Sequence, residues 1–259
     1  MRTLLAAALV AGLALMVGSA CAEDWRDHPE FRHVCGLPGS GVPVNEFGQF
    51  GFGGAYHMNV PCAYTPSKDN YALMYNSASR DSTFRLRLSG HRTDGSAAAM
   101  VGFGKPGRGL TATYFVVDEE WVNTINLQYQ VREEDDDIPA IAVGILDIFD
   151  QRQELAGRNG GARSIYVTAT RKILESEKPL YVTLGLGNEK FHGLFGAVSY
   201  YPSDRLNVGF EYDGRVARPH VAYNLAKSKG EEKAWDASVH VGWSNFDRPI
   251  WGLNATYRP

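Results

Sequence analysis

Apolar residues recur at every second position along most of this chain. In Leu180–Gly187, Leu180, Val182, Leu184 and Leu186 fall on one side and Tyr181, Thr183, Gly185 and Gly187 on the other. In the 205–213 stretch, Leu206, Val208, Phe210 and Tyr212 oppose Arg205, Asn207, Gly209, Glu211 and Asp213. Successive side chains leave a strand on opposite faces, so this period of two predicts strands. The stretches 194–201 and 219–225 alternate less cleanly, and turn formers at 188–193, 202–204 and 213–217 separate the four. Short links between consecutive strands predict an antiparallel meander.

The same rhythm marks Tyr71–Ser77, Thr83–His91, Ala97–Gly104, Leu110–Val117, Trp121–Arg132, Ile138–Phe149, Ser164–Ile173, Trp235–Trp243 and Trp251–Tyr257. Phe47–Met58, rich in glycine and aromatics, reads as a first strand. About twelve strands are expected, with twelve to fourteen defensible. Short turns near Gln151–Ala156 are the one place where helical structure is expected after the leader. Strands of this length suit a tilted bilayer crossing. Aromatics such as Trp121, Tyr200, Tyr201, Trp235, Trp243, Trp251 and Tyr257 lie at or near strand ends, as interfacial girdles would require.

The expected fold is therefore an all-β, antiparallel up-and-down transmembrane barrel. Residues 1–22 read as a signal peptide: Arg2, an apolar run from Leu4 to Val17, and Ala20-Cys21-Ala22 as a small-x-small cleavage site. Gly18-Ser19-Ala20-Cys21 resembles a bacterial lipobox without its usual Leu, so a lipidated Cys21 is the alternative. Residues 23–44 read as an irregular N-terminal segment, a plug or periplasmic lead-in, and 45–259 as the barrel. Removing the leader takes Lys+Arg from 26 to 25 against 29 Asp+Glu, a balance that gives no argument for nucleic acid. Two cysteines remain, Cys35 and Cys62, and in an exported chain they are expected to form a disulfide. Their spacing relative to His33 and His57 fits no standard zinc pattern.

If the apolar face meets lipid, the polar face fills the lumen. That face carries Arg85, Arg87, His91, Asn126, Gln128, Gln130, Arg205, Asn207, Glu211, Asp213, Arg218, His220, Asn224, Asp236, Ser238 and His240. The candidate contacts for a glycan are Arg85, Arg87, Asp147, Arg205, Glu211, Asp213, Arg218, His220, Asp236 and His240. The alternative for the same residues is an internal salt-bridge network that plugs a narrow barrel. Glu211 and Asp213 share one strand face about 7 Å apart, a spacing that also suits paired catalytic carboxylates. His220 with Asp236 or Ser238 offers a hydrolase-like cluster, but no motif supports it. The chain lacks a Gly-x-Ser-x-Gly elbow, a His-Glu-x-x-His pair, a P-loop and a dinucleotide fingerprint. No cofactor or metal is expected. Five consecutive acids, Glu133–Asp137, read as a solvated hairpin loop, or as a divalent-cation or lipopolysaccharide-bridging loop outside the cell.

The region from Ala142 to Tyr223 resembles the YjbH family of exopolysaccharide-associated outer-membrane proteins. The elements are Gly144-Ile145-Leu146-Asp147-Ile148, the strand Ser164–Lys172 with its basic end, Leu184-Gly185-Leu186-Gly187, Phe191-His192-Gly193-Leu194-Phe195-Gly196 and Glu211-Tyr212-Asp213-Gly214. Met58–Ala63 is loosely similar to the family's N-terminal Met-Pro-x-Ala element. Family members are usually longer, and this chain ends on Pro259 rather than an aromatic. The resemblance implies a non-enzymatic outer-membrane barrel that assists exopolysaccharide production or export. The implied partners are outer-membrane lipid, lipopolysaccharide, polysaccharide and other secretion proteins. The alternatives are a structural or adhesive barrel acting through its loops, and an outer-membrane hydrolase using His220, Glu211 or Asp213.

Overall fold

The structure is a computed structural model that describes residues 36–78, 95–117, 122–150, 163–174, 178–227, 234–244 and 248–258. Twelve strands form a closed antiparallel barrel in which each strand pairs with its sequence neighbours. They are β1 (Tyr71–Ala78), β2 (Gly95–Lys105), β3 (Arg108–Val117), β4 (Val122–Arg132), β5 (Ala140–Leu146) and β6 (Ser164–Leu174). The second half is β7 (Leu180–Gly187), β8 (Gly193–Ser203), β9 (Leu206–Tyr212), β10 (Ala217–Lys227), β11 (Ala234–Ser244) and β12 (Arg248–Arg258). β1 and β12 close the ring, with Tyr71 opposite Tyr257 and Ala78 opposite Ile250. The all-β up-and-down barrel expected from the alternation is the observed fold.

The outer surface is apolar. Leu73, Leu110, Val143, Ile165, Leu184, Leu186, Val221, Leu225 and Leu253 are all exposed, while their polar alternates are buried. Thr111, Asn126, Gln128, Thr168, Thr183, Ser199, Asn207, Asn224 and Ser238 are at most 3% exposed. Water would reverse this arrangement; hydrocarbon outside and polar groups within are what a bilayer-spanning barrel requires. Tyr71, Tyr257 and Trp235 gird the end where the chain enters and leaves, and Tyr75, Trp243 and Trp251 lie toward the other end. The chain is thus an outer-membrane-type barrel.

The two ends differ. The terminal end carries the two-residue turns Pro106-Gly107 and Asp204-Arg205, and the opposite end carries the longest links, 79–94 and 147–163. Short periplasmic turns and long extracellular loops are the rule for such barrels, so the terminal end faces the periplasm.

One expectation changes substantially. Phe47–Met58 is not a strand; residues 36–70 lie inside the barrel as an irregular segment, and the wall begins at Tyr71. The segment makes only isolated bridges, such as Ser40 with His57 and Val44 with Ala55. Val42, Val44, Phe50, Phe52, Tyr56, Met58, Val60 and Tyr64 alternate as a strand would, yet Ala55, His57, Asn59 and Ala63 between them are equally buried. Wall surrounds the segment from 54 to 67, so neither parity faces solvent there. The predicted strand Thr83–His91, the leader and the turns near Gln151–Ala156 lie outside the described residues.

Candidate functional site: a plugged polar lumen

The walls meet the 36–70 segment mainly through hydrogen bonds. At the extracellular half, Glu211 on β9 accepts from three consecutive backbone amides through one carboxylate oxygen. Its Oε2 lies 2.9 Å from Met58 N, 3.0 Å from Asn59 N and 3.2 Å from Val60 N. Asn59 donates its side-chain amide to Asp213 at 2.7 Å. Arg218 on β10 lies 2.5 Å from Asp213 and 3.7 Å from Glu211. All three charged groups are at most 1% exposed. Buried charges persist only when paired and hydrogen-bonded, and the plug's amides complete the set here.

Deeper in the lumen, Tyr56 takes a central place. Its hydroxyl bonds His240 Nδ1, its amide donates to Ser199, and its carbonyl lies 3.4 Å from His220 Nε2. His240 in turn holds Asn76 Oδ1 at 2.6 Å. Ala63 N donates to Thr170 and Thr65 N to Gln130, while Gln128 donates to Cys62 O and Thr65 Oγ1. Thr168 donates to Pro61 O. Tyr181 and Tyr201 donate to the carbonyls of Gly53 and Gly54.

At the periplasmic mouth the plug is fastened again. Lys172 pairs with Glu46 at 2.7 Å, and the Tyr181 hydroxyl, whose single hydrogen is shared with Gly53 O, lies 3.2 Å from the other oxygen of Glu46. Tyr64 donates to Glu134 of the acidic loop, which also accepts from Lys172 N at 3.0 Å. Glu134 lies outside the strands, and burial is the largest influence on it, holding its carboxyl above the ordinary range. Two apolar clusters fill the remaining space. Leu37, Val60, Leu146, Tyr166, Phe191 and Phe195 pack together, and Val44, Phe50, Tyr56, Tyr64, Tyr181 and Tyr201 belong to a second cluster.

Most of the candidate residues read from sequence converge on this seam. Glu211, Asp213, Arg218, His220, Asp236 and His240 are buried within the lumen. Asp147, one residue past the end of β5 with φ 52°, is buried, and its backbone N donates to Asn126 Oδ1 at 2.9 Å. Arg205 is different: it sits in the two-residue β8–β9 turn and is exposed at the periplasmic rim. The parity of β9 is inward at that position, but the strand ends before it. Arg85 and Arg87 lie outside the described residues. The proposed disulfide is corrected as well: Cys62 is a free, buried thiol that donates to Tyr64 O at 3.4 Å, and Cys35 lies outside the described residues.

The geometry leaves little room for the hydrolase arrangement. Both carboxylates of the Glu211–Asp213 pair are engaged by Arg218 and the plug. Asp236 accepts from Phe52 N and Ser238 donates to Asn254, and no hydrogen bond joins either to His220. The acidic loop Glu133–Asp137 joins β4 to β5 at the periplasmic end, so the reading that placed it outside the cell is reversed. Sequence reasoning missed Glu46, Tyr56, Met58–Val60 and Tyr64. Residues 55–65 carry a polar alternate set, His57, Asn59 and Thr65, so the burial of both parities there leaves no mark in the sequence.

No protein-family model matches the chain, so the resemblance to the YjbH family rests on its sequence elements alone. No curated protein matches it either. Among solved structures it is similar to the KdgM porin, at 9% identity over 73% of this chain and 99% of that one, with a TM-score of 0.47. It is also similar to the NanC porin, at 10% identity over 73% of this chain and 99% of that one, TM-score 0.42. The outer membrane protein Omp33 of Acinetobacter baumannii matches at 10% identity over 73% of this chain and 97% of its own, TM-score 0.40. No residue role is carried across from these proteins.

Proposed function

We propose that this protein is an outer-membrane channel for a hydroxyl-rich, glycan-type solute, closed at rest by its own 36–70 segment. The observation that carries the reading is the polar seam between plug and wall, above all the three plug amides on Glu211. A filler selected only to occupy space is best made apolar. Hydrogen-bonded surfaces, by contrast, can part in water because solvent replaces each lost bond, so the net loss is about 1 kcal/mol per neutral bond. Lining the parted seam would be Asn, Gln, Thr, Ser, His and both charge signs, the groups that hydrogen-bond sugar hydroxyls. The tie to exopolysaccharide production or export rests on the YjbH resemblance.

Planar-bilayer recording and liposome swelling test this. The wild-type barrel is expected to be mostly closed. Glu211→Ala removes the acceptor of three plug amides and is expected to raise ion conductance and sugar influx severalfold. A Glu211→Ala barrel that keeps its heat-dependent electrophoretic shift yet passes neither ions nor sugars would sink the channel reading in favour of a structural barrel. A strain carrying that variant should also change its yield of exported polysaccharide; an unchanged yield would separate the channel from exopolysaccharide export.

A further inference from the structure

The periplasmic mouth holds a cavity of about 770 Å³ between the tip of the plug, the β2–β3 turn, the acidic loop and the end of β6. Its floor is the plug itself. Phe47 stands in it 62% exposed, whereas Val44 and Phe50 on either side are at most 1% exposed. This exposure is built in by a locked turn. Asn45 Oδ1 accepts from Phe47 N at 3.1 Å and from Gln49 N at 3.0 Å, and Gly48 N donates to Asn45 O at 3.0 Å. Gly48 has φ +67°, and a side chain there would press on Thr65 O, so the turn has little freedom to withdraw the ring.

Charge on the cavity wall is uneven. Five carboxylates face two cations, Arg171 and Lys172. Lys172 is paired with Glu46, and Arg171 donates to the carbonyls of Asp136 and Asp137, leaving the carboxylates of Glu133 and Asp136 exposed. A volume of this size matches a small-molecule site rather than a protein footprint. A fixed aromatic face in a polar hollow gives the apolar C–H face of a sugar ring a place to stack, while carboxylates take its hydroxyls or amines.

We infer that this vestibule is a saccharide-binding site, with Phe47 as the stacking platform and Glu133 and Asp136 selecting neutral or amine-bearing sugars over acidic ones. The inference deepens the channel reading by assigning the class of solute loaded from the periplasm, and it rests on that reading for its role in transport. Negative wall charge repels a uronate and attracts an ammonium, so the order of affinity is amine-bearing, neutral, acidic.

Titration calorimetry of the full-length barrel in detergent, with glucosamine, glucose and glucuronate oligomers of equal length, tests this. The glucosamine oligomer is expected to bind most tightly and the glucuronate oligomer most weakly. Phe47→Ala is expected to weaken the first two by about tenfold, the loss of one good stacking contact. Glu133→Gln with Asp136→Asn is expected to erase the preference for the amine-bearing oligomer over the neutral one. Phe47 is exposed and both acids lie on a surface loop, so all variants should keep the heat-dependent shift. The inference is overturned if no oligomer binds the wild type, if Phe47→Ala binds as wild type does, or if the acidic oligomer binds best. Binding by a barrel that never conducts would support the vestibule and remove the channel; conduction without binding would do the reverse.

Discussion

Gly209 and Glu211, two positions apart on β9, divide the work of shaping the lumen. Gly209 sits opposite His220 on β10, and a Cβ there would collide with the imidazole ring. The missing side chain lets His220 lie over the neighbouring strand and leaves space for Tyr56 of the plug. Gly144 does the same for Tyr166 on β6. Gly209→Ala should therefore push His220 into the plug and lower stability by about 1–3 kcal/mol, the usual range for overpacking a filled interior. The urea midpoint of the heat-modifiable form reads this out. An unchanged midpoint would mean the lumen is looser than these contacts require. Cys62 offers a probe of the same interior. In a Cys35→Ser background, the buried Cys62 thiol should resist a maleimide in the folded barrel and react after boiling. In the Glu211→Ala variant, faster labelling of the unboiled barrel is expected, because the plug is released.

At the scale of elements, the acidic loop between β4 and β5 and the plug hold each other. Glu134 faces Tyr64 and Glu46 from the plug and Arg171 and Lys172 from β6. Burial raises its carboxyl, so the folded state binds this proton more tightly than the unfolded chain does. The sign follows from linkage: stability contributed here is greater below the ordinary carboxylate range and is lost as pH rises through the raised folded value. The periplasmic end of the plug should be held more firmly near pH 5 than at pH 7. Open-channel events recorded from the periplasmic side at the two pH values check this. Glu134→Gln should flatten the difference, since an amide oxygen still accepts from Tyr64 without titrating. A pH dependence that survives this substitution would place the controlling group elsewhere.

For the whole molecule, the decisive property is the reversed distribution of polarity. Leu253 lies midway along β12 and points outward, 44% exposed. Leu253→Arg should cost about 2–4 kcal/mol, the penalty for a cation near the bilayer midplane. The expected result is loss of the heat-dependent shift and of recovery from the outer-membrane fraction. Normal recovery of that variant would mean the outward face meets something other than hydrocarbon.

The sequence by itself determined most of the wall strands and their antiparallel order. A period of two is a local property, and each pair of neighbouring strands inherits it. It also placed Glu211, Arg218, His220, Asp236 and His240 on the inner face, because those residues lie within regular strands, and Asp213, one residue past the end of β9, keeps the same inward parity. It failed at the ends and in the segment without a wall. Arg205 follows strand parity into a turn where the strand has stopped. Phe47–Met58 alternates like a strand but is broken by kinks such as Gly48 and finds no open edge, since β1 and β12 already close the ring. Only the tertiary structure decided that this segment fills the lumen, that Glu211 holds its amides, and that the acidic loop and Phe47 share one mouth. Those are contacts between residues far apart in sequence, such as Met58 with Glu211, and hydrogen-bond partners at that distance leave no periodic mark in the chain.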